Sequence, residues 1–188
     1  MLSTSNASDG FTDETLGVNE ASINETSGEE MSSEKALMLA ALNNQREHIL
    51  GILDGLSDED LKRPVLPTGW TCLGMVRHLT IDVEQLWFSV VAAGDQVEPG
   101  AEGWQVGPDE SAQAVLDAYR QATGRANEVI TSTPMDAPPA FWPAEEFGEW
   151  RLHSLRELIM HVITETACHA GHLDAVREII DGETWLRI

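Results

Sequence analysis

The residues whose types and spacing could do chemistry are concentrated in one segment, residues 165–172, with the sequence ETACHAGH. On an α-helix, which turns by about 100° per residue, Glu165, His169 and His172 fall within about 60° of one another, and His161 lies one turn earlier on the same stripe. The remaining residues of the stripe are apolar, which predicts that this face turns towards the core: Leu158, Val162, Val176 and Ile179. Unpaired polar groups are costly to bury. A divalent metal would satisfy this carboxylate and these imidazoles together, and the ligand types suit zinc, nickel or ferrous iron.

An internal hydrogen-bond network among the same side chains is the alternative to a metal on this helix. A third ligand from another helix would favour the metal, and His78 is the candidate. His78 flanks the apolar stripe of its own helix, and Asp82 follows it by one turn, where a carboxylate could orient the imidazole or share the metal. Without a metal, His78 is interpreted as a histidine at the boundary of the core.

Composition limits the partners that this chain can have. Its 188 residues predict one domain, and its formal net charge of −21 disfavours nucleic acid or an anionic membrane as a partner. No apolar run reaches the roughly 18 residues of a membrane helix, and the N-terminus lacks the pattern of a secretory signal. Cys72 and Cys168 do not form a disulfide framework and have no CxxC or zinc-finger spacing, so both are expected to be free thiols. A cytoplasmic protein is therefore expected.

Four long amphipathic segments predict an all-α protein, a four-helix bundle with long connections after the second and third helices. The predicted helices span residues 34–55, 72–93, 109–131 and 154–180. Residues 1–33 contain no Lys or Arg and few large apolar residues, so we expect a disordered acidic tail there and a folded domain at 34–188. Bundles build metal sites from inward side chains on facing helices.

Local signals place several boundaries within this architecture. Thr71 is expected to cap the second helix, and Ser154 with Glu157 forms a capping box for the fourth. Residues 57–60 predict a short helical turn. Glu84 is expected on the solvent face. Aromatic residues in and beside the connections could wall a pocket or cover an end of the bundle: Trp70, Trp87, Trp104, Phe141, Trp142, Phe147 and Trp150.

Two separated segments carry a family resemblance, DGLSDEDLKRPVLPTGWTCLGMVRHLTIDVEQLWF and SLRELIMHVITETACHAGHLDAVREIIDG. Together they resemble the DinB-like superfamily, and most closely its actinobacterial branch of mycothiol-dependent S-transferases, which is related to the mycothiol-dependent maleylpyruvate isomerase type. The resemblance covers residues 36–182. It implies a four-helix bundle with a divalent metal at one end, held here by His78, Glu165 and His169. Zinc is the first expectation, and nickel, iron or manganese would also suit these ligands.

The resemblance also implies a reaction. Three protein ligands leave an open position on a metal, where a low-molecular-weight thiol, here mycothiol, would be held as a thiolate that attacks a small electrophile. His172 and Asp82 are the candidates for accepting a proton or orienting a ligand. The resemblance leaves room for a homodimer. Other interpretations of the same residues are a thiol-dependent isomerase, a metal-dependent hydrolase, and a non-catalytic metal- or ligand-binding protein.

Overall fold

The computed structural model describes residues 31–96, 103–107 and 109–185, and within these ranges the chain forms helices and loops but no strand. The prediction of an all-α protein is therefore confirmed. The elements in chain order are α1 (Ser33–Leu53), α2 (Asp58–Lys62), α3 (Cys72–His78), a π-helix that continues α3 (Leu79–Ala92), α4 (Ala112–Ser132), α5 (Ala144–Phe147) and α6 (Leu155–Asp181). Residues 1–30, which are most of the predicted tail, lie outside the described residues. Ser33, which was assigned to that tail, is the first residue of α1.

Side-chain caps explain where most of these helices begin. At five starts a Ser or Thr side chain accepts a hydrogen bond from the backbone N–H three residues later, as N-caps do: Ser32, Ser57, Thr71, Ser111 and Ser154. The predicted caps at Thr71 and Ser154 are thereby confirmed. At α6 the Glu157 carboxylate accepts a hydrogen bond from the N–H of His153 at 2.7 Å, one residue before the usual partner in a capping box.

The long helices share one hydrophobic core. Helix α1 packs against α6, the π-helix packs between α4 and α6, and α3 contacts α4. Each long element contributes fully buried apolar side chains: Leu42, Ile49, Leu79, Phe88, Tyr119, Ile130, Leu158 and Leu173. Burying each aliphatic side chain stabilises the fold by about 1.5–3 kcal/mol. Among the helices of the described ranges, none combines the length and the apolarity that crossing a membrane would require.

The second long helix changes its hydrogen-bond pattern at the end of α3. Near the end of the π-helix, the N–H of Ala93 donates to the carbonyl of Phe88, five residues back, at 3.1 Å, which is the π-helical pattern.

The prediction of a solvent-facing Glu84 is wrong, because this residue is buried and Arg46 of α1 binds it through two hydrogen bonds of 2.7 and 2.5 Å. Ile179 was likewise expected to face inward on α6 and is exposed.

Candidate metal centre and its cleft

His78 stands where α3 gives way to the π-helix, and its side chain is held by Asp82 four residues later. Oδ2 of Asp82 lies 2.8 Å from Nδ1 of His78. A carboxylate at this distance places the imidazole proton on Nδ1 and fixes the plane of the ring, which leaves Nε2 as the nitrogen available to a ligand. The local arrangement is the one that orients a metal-binding histidine.

Glu165 and His169 come from α6, and His169 meets His78 across the helix interface. Their i, i+4 spacing brings Oε2 of Glu165 within 3.4 Å of Nε2 of His169. The rings of His169 and His78 meet edge to face, with centroids 5.0 Å apart. The structure thus brings together the three residues that were predicted as metal ligands. Among the residues it describes, no three or more His, Cys, Asp or Glu side chains stand at the spacing of a formed metal site.

The cluster lies at the edge of the buried face of α6, not on its centre line as the apolar stripe suggested. The buried line of the helix runs through Thr166, Ala170 and Leu173, one residue after each of the polar positions. The side chain of Glu165 is therefore 41% exposed and that of His169 is 14% exposed. An edge position lets the groups reach solvent and small molecules, which a position in the core would prevent.

His172 extends the cluster outward. It is exposed, and its ring centroid lies 5.6 Å from that of His169. The structure therefore places His172 beside the pair on α6, on the side that faces solvent.

His169 has the properties of a neutral imidazole. Burial lowers its pKa, and the nearby imidazole of His78 lowers it further. Its Nδ1 is buried, and no described residue offers it a hydrogen bond. The other ring nitrogen, Nε2, faces Oε2 of Glu165 at 3.4 Å, a separation at which both atoms could bind one ion, and neutral imidazole is the form that binds metals. A carboxylate with two imidazoles is also a donor set that zinc, nickel or iron accepts. The residues present therefore fit a divalent metal.

Trp104 covers the cluster from the loop between the π-helix and α4. Its indole stacks on His78 with ring centroids 4.2 Å apart and planes 14° apart. Gly103 makes this approach possible, because a Cβ there would lie 2.1 Å from Oδ2 of Asp82. At Gly107 the loop segment is held by Glu110, whose carboxylate accepts hydrogen bonds from Arg77 and from the N–H of Gly107. In the sequence Trp104 is only one of several aromatic residues near the connections, and no local signal indicates its contact with His78.

A cleft of about 300 Å³ opens beside the cluster, and its lining includes His78, Asp82 and Glu165. Its other walls are mostly aromatic and apolar: Val83, Leu86, Trp87, Phe147, Trp150 and His161. Two aromatic residues of the connection before α6 thus wall a pocket, which was one of the two interpretations of that segment. The arrangement can hold a small molecule next to a metal centre.

One family model matches this chain in the comparisons with known proteins. Residues 37–182 match the family model described as Mycothiol-S-transferase. The match spans more than half of the chain, and it includes His78, Glu165 and His169, as well as Asp82 and His172. No curated protein and no solved structure matches the chain.

Proposed function

Because the chain belongs to the mycothiol S-transferase family, we propose that it is a metal-dependent enzyme that joins the sulfur of mycothiol to a small electrophilic substrate. The observation that carries this proposal is that His78 from α3 contacts His169 from α6, which is paired with Glu165, beside an open cleft. In this proposal α1, the α3–π-helix pair, α4 and α6 are the four members of a four-helix bundle of the DinB-like type.

His78, Glu165 and His169 would hold the divalent metal. Zinc is the first candidate, and nickel, iron and manganese remain compatible with one carboxylate and two imidazoles. A metal held by these residues would lower the pKa of a thiol bound to it. Two observations support this ligand set: Oε2 of Glu165 lies 3.4 Å from Nε2 of His169, and Asp82 binds Nδ1 of His78 and so leaves Nε2 of that ring for a ligand.

The residues around the site have separate tasks in the proposed reaction. Asp82 holds the imidazole of His78 in one orientation. Trp104 lies over that imidazole and keeps water from it. His172, at the solvent side of His169, accepts the proton of the mycothiol thiol and passes it to water.

The bond changes balance without an oxidant or a reductant. The thiol sulfur forms a bond to an electrophilic carbon, and the bond from that carbon to its leaving group breaks, with the electron pair going to the leaving group. The thiol proton goes to His172 and then to solvent. Neither cysteine takes part, since Cys72 is buried and the nucleophile belongs to mycothiol.

Elemental analysis of protein purified without a metal-affinity step tests the proposal, together with an assay of S-conjugate formation from mycothiol and iodoacetamide. We expect close to one metal per chain and conjugate formation that a chelator abolishes. Glu165→Gln and His169→Ala should lose the metal and keep their helicity by circular dichroism. His153→Ala, which changes an exposed histidine just before α6, is the matched control and should keep both. Full metal content in His169→Ala would reject the ligand assignment.

A non-catalytic ligand-binding protein is the second candidate. The observation that favours it is that, in the described ranges, no three potential ligands stand at the spacing of a formed metal site. In that case Glu165, His169 and His78 form a hydrogen-bonded cluster, and the elemental analysis finds no stoichiometric metal.

A further inference from the structure

His161 of α6 is a cleft residue without a task in the proposed reaction. It lies one turn before Glu165 on the same side of the helix, and both residues line the cleft. Its half-buried imidazole meets Trp87 edge to face with ring centroids 4.7 Å apart, and it lies 5.4 Å from Trp150. Within the described ranges its ring nitrogens have no hydrogen-bond partner. The two indoles therefore hold the ring in place and leave its nitrogens for a ligand.

The other charged and imidazole groups of the cleft already have partners. His78 and Asp82 bind each other at 2.8 Å, and Glu165 pairs with His169. Ionised carboxylates accept hydrogen bonds and cannot donate them. His161 is thus an imidazole of the cleft that lies outside both pairs and outside the candidate set of metal ligands.

The protonation state of His161 makes it a hydrogen-bond donor without a charge. Burial lowers the pKa of its imidazole, and the carboxylate of Glu165 opposes this change. A neutral imidazole carries one N–H and one acceptor nitrogen. The N–H of such a ring can bind the oxygen of a carbonyl group without giving up its proton.

The spacing along α6 relates this N–H to the reacting atoms. Residues four apart on a helix have Cβ atoms about 5–6 Å apart, so His161 lies close to Glu165, beside which the thiol would be held. An electrophile whose attacked carbon faces the thiol can therefore place an oxygen of its neighbouring carbon beside His161. The cleft of about 300 Å³ has room for a small substrate in this position.

We propose that His161 is a further catalytic residue, which donates a hydrogen bond to a carbonyl oxygen next to the attacked carbon and so selects electrophiles that carry a carbonyl group. This inference rests on the proposed function for the attacking thiol. With iodoacetamide, the sulfur–carbon bond forms at the methylene carbon, iodide leaves with the bonding electrons, and the thiol proton goes to solvent by way of His172. His161 keeps its own proton, and its hydrogen bond strengthens as the carbonyl oxygen gains electron density in the transition state.

Two electrophiles with the same leaving group test the inference in the metal-loaded full-length protein, with mycothiol as the thiol and the uncatalysed rate subtracted. Iodoacetamide carries the carbonyl oxygen, and allyl iodide lacks a hydrogen-bond acceptor of this kind. His161→Phe keeps a ring against Trp87 and Trp150. It should lower kcat/KM with iodoacetamide about five- to tenfold, the value of one hydrogen bond, and leave kcat/KM with allyl iodide within about twofold of the parent. His161→Gln, which keeps an N–H donor, should stay within about threefold of the parent with iodoacetamide.

His48→Phe is the matched control. His48 is also a little-exposed histidine beside a tryptophan, Trp185, with ring centroids 5.3 Å apart, but it does not line the cleft. This variant should turn over both electrophiles like the parent, and both Phe variants should keep the metal content of the parent. Loss of metal from His161→Phe would overturn the inference, because His161 would then be a ligand. Equal losses with the two electrophiles would also overturn it, because the ring would then act through the shape of the cleft.

A binding measurement without mycothiol separates this inference from the proposed function. The probes are benzamide, which has a carbonyl oxygen, and toluene, which has none, and the protein is labelled with ¹⁵N at histidine. We expect benzamide to shift the ring-nitrogen signals of His161 and to bind His161→Phe about five- to tenfold more weakly, whereas toluene should bind both proteins alike. That result without conjugation of iodoacetamide would uphold His161 as the carbonyl-binding residue and reject the transferase. Conjugation of iodoacetamide by His161→Phe at the rate of the parent would uphold the transferase and reject the inference.

Discussion

Oδ2 of Asp82 lies 2.8 Å from Nδ1 of His78, and Gly103 packs against the same carboxylate. Asp82 therefore links the helix that carries His78 to the loop that covers it. The carboxylate fixes the imidazole in one tautomer, and its contact with Gly103 sets the position of Trp104 above the ring.

Asp82→Asn tests the orienting role. The amide keeps the shape of the side chain and removes the negative charge that favours a proton on Nδ1. Loss of a carboxylate behind a metal-binding histidine typically lowers metal affinity about 10- to 100-fold. Competition for zinc with a chelating dye measures this affinity. Asp117→Asn, at an exposed aspartate of α4, should bind zinc like the parent, and an unchanged affinity in Asp82→Asn would show that the carboxylate does not support a ligand.

Gly103→Ala tests how the loop is seated. The added Cβ would lie 2.1 Å from Oδ2 of Asp82, a distance that forces the loop or the carboxylate to move. We expect Trp104 to separate from His78, so that diethylpyrocarbonate modifies His78 faster, as followed by peptide mass spectrometry. Gly107→Ala is the control in the same loop segment, because its Cβ would meet Glu110 only at 3.9 Å. Equal modification rates in both variants would contradict the predicted contact.

The buried pair of Arg46 and Glu84 predicts a strong dependence of stability on both partners. Burial raises the pKa of the Glu84 carboxyl, and the charge and hydrogen bonds of Arg46 oppose that rise. Arg46→Met would leave Glu84 buried without its cation, which costs about 3–5 kcal/mol. The free energy of unfolding in urea measures this loss.

Two further variants give that measurement its control. Arg46→Met combined with Glu84→Leu should cost clearly less than the two single changes added together, because no uncompensated charge remains. Arg120→Met removes an exposed partner of Asp117 and should cost less than about 1 kcal/mol. Strict additivity of the two buried changes would show that the pair is not coupled.

We expect the buried thiol of Cys72 to make the folded protein less stable at alkaline pH. Burial raises the pKa of its thiol to about 11. Below the ordinary thiol pKa both the folded and the unfolded chain keep the proton, so the contribution of Cys72 is fully present there. As the pH rises from about 9 to about 11, only the unfolded chain loses the proton. The free energy of unfolding should then fall by about 1.4 kcal/mol per pH unit.

Urea titrations between pH 8 and pH 10.5 measure this slope. Cys72→Ala should make the slope shallower, whereas Cys168→Ala, which changes an exposed cysteine, should leave it as in the parent. A native chain treated with a disulfide reagent at pH 8 should accordingly react at Cys168 and spare Cys72. Identical slopes in the two variants would refute the prediction.

Features that depend on a few neighbouring residues could be predicted from the sequence. The caps at Thr71 and Ser154 and the turn at Ser57 follow from side chains that bond to the backbone three residues away. The pairing of Glu165 with His169 follows from helical spacing alone. His78 is the candidate third ligand from the sequence, and the family resemblance implies the same residue; the match over residues 37–182 confirmed that family.

Features that depend on contacts between distant segments were decided by the tertiary structure. Glu84 is buried because Arg46, 38 residues earlier, supplies its counter-charge, and a charged residue within the apolar stripe of α1 was the only local sign of it. The ETACHAGH cluster lies at the edge of a buried face because the packing of the neighbouring helices, and not the periodicity of α6, determines which side of α6 is covered. Trp104 reaches His78 because Gly103 lets the loop touch Asp82. Helix spacing sets which side chains share a face, and only packing sets what that face meets.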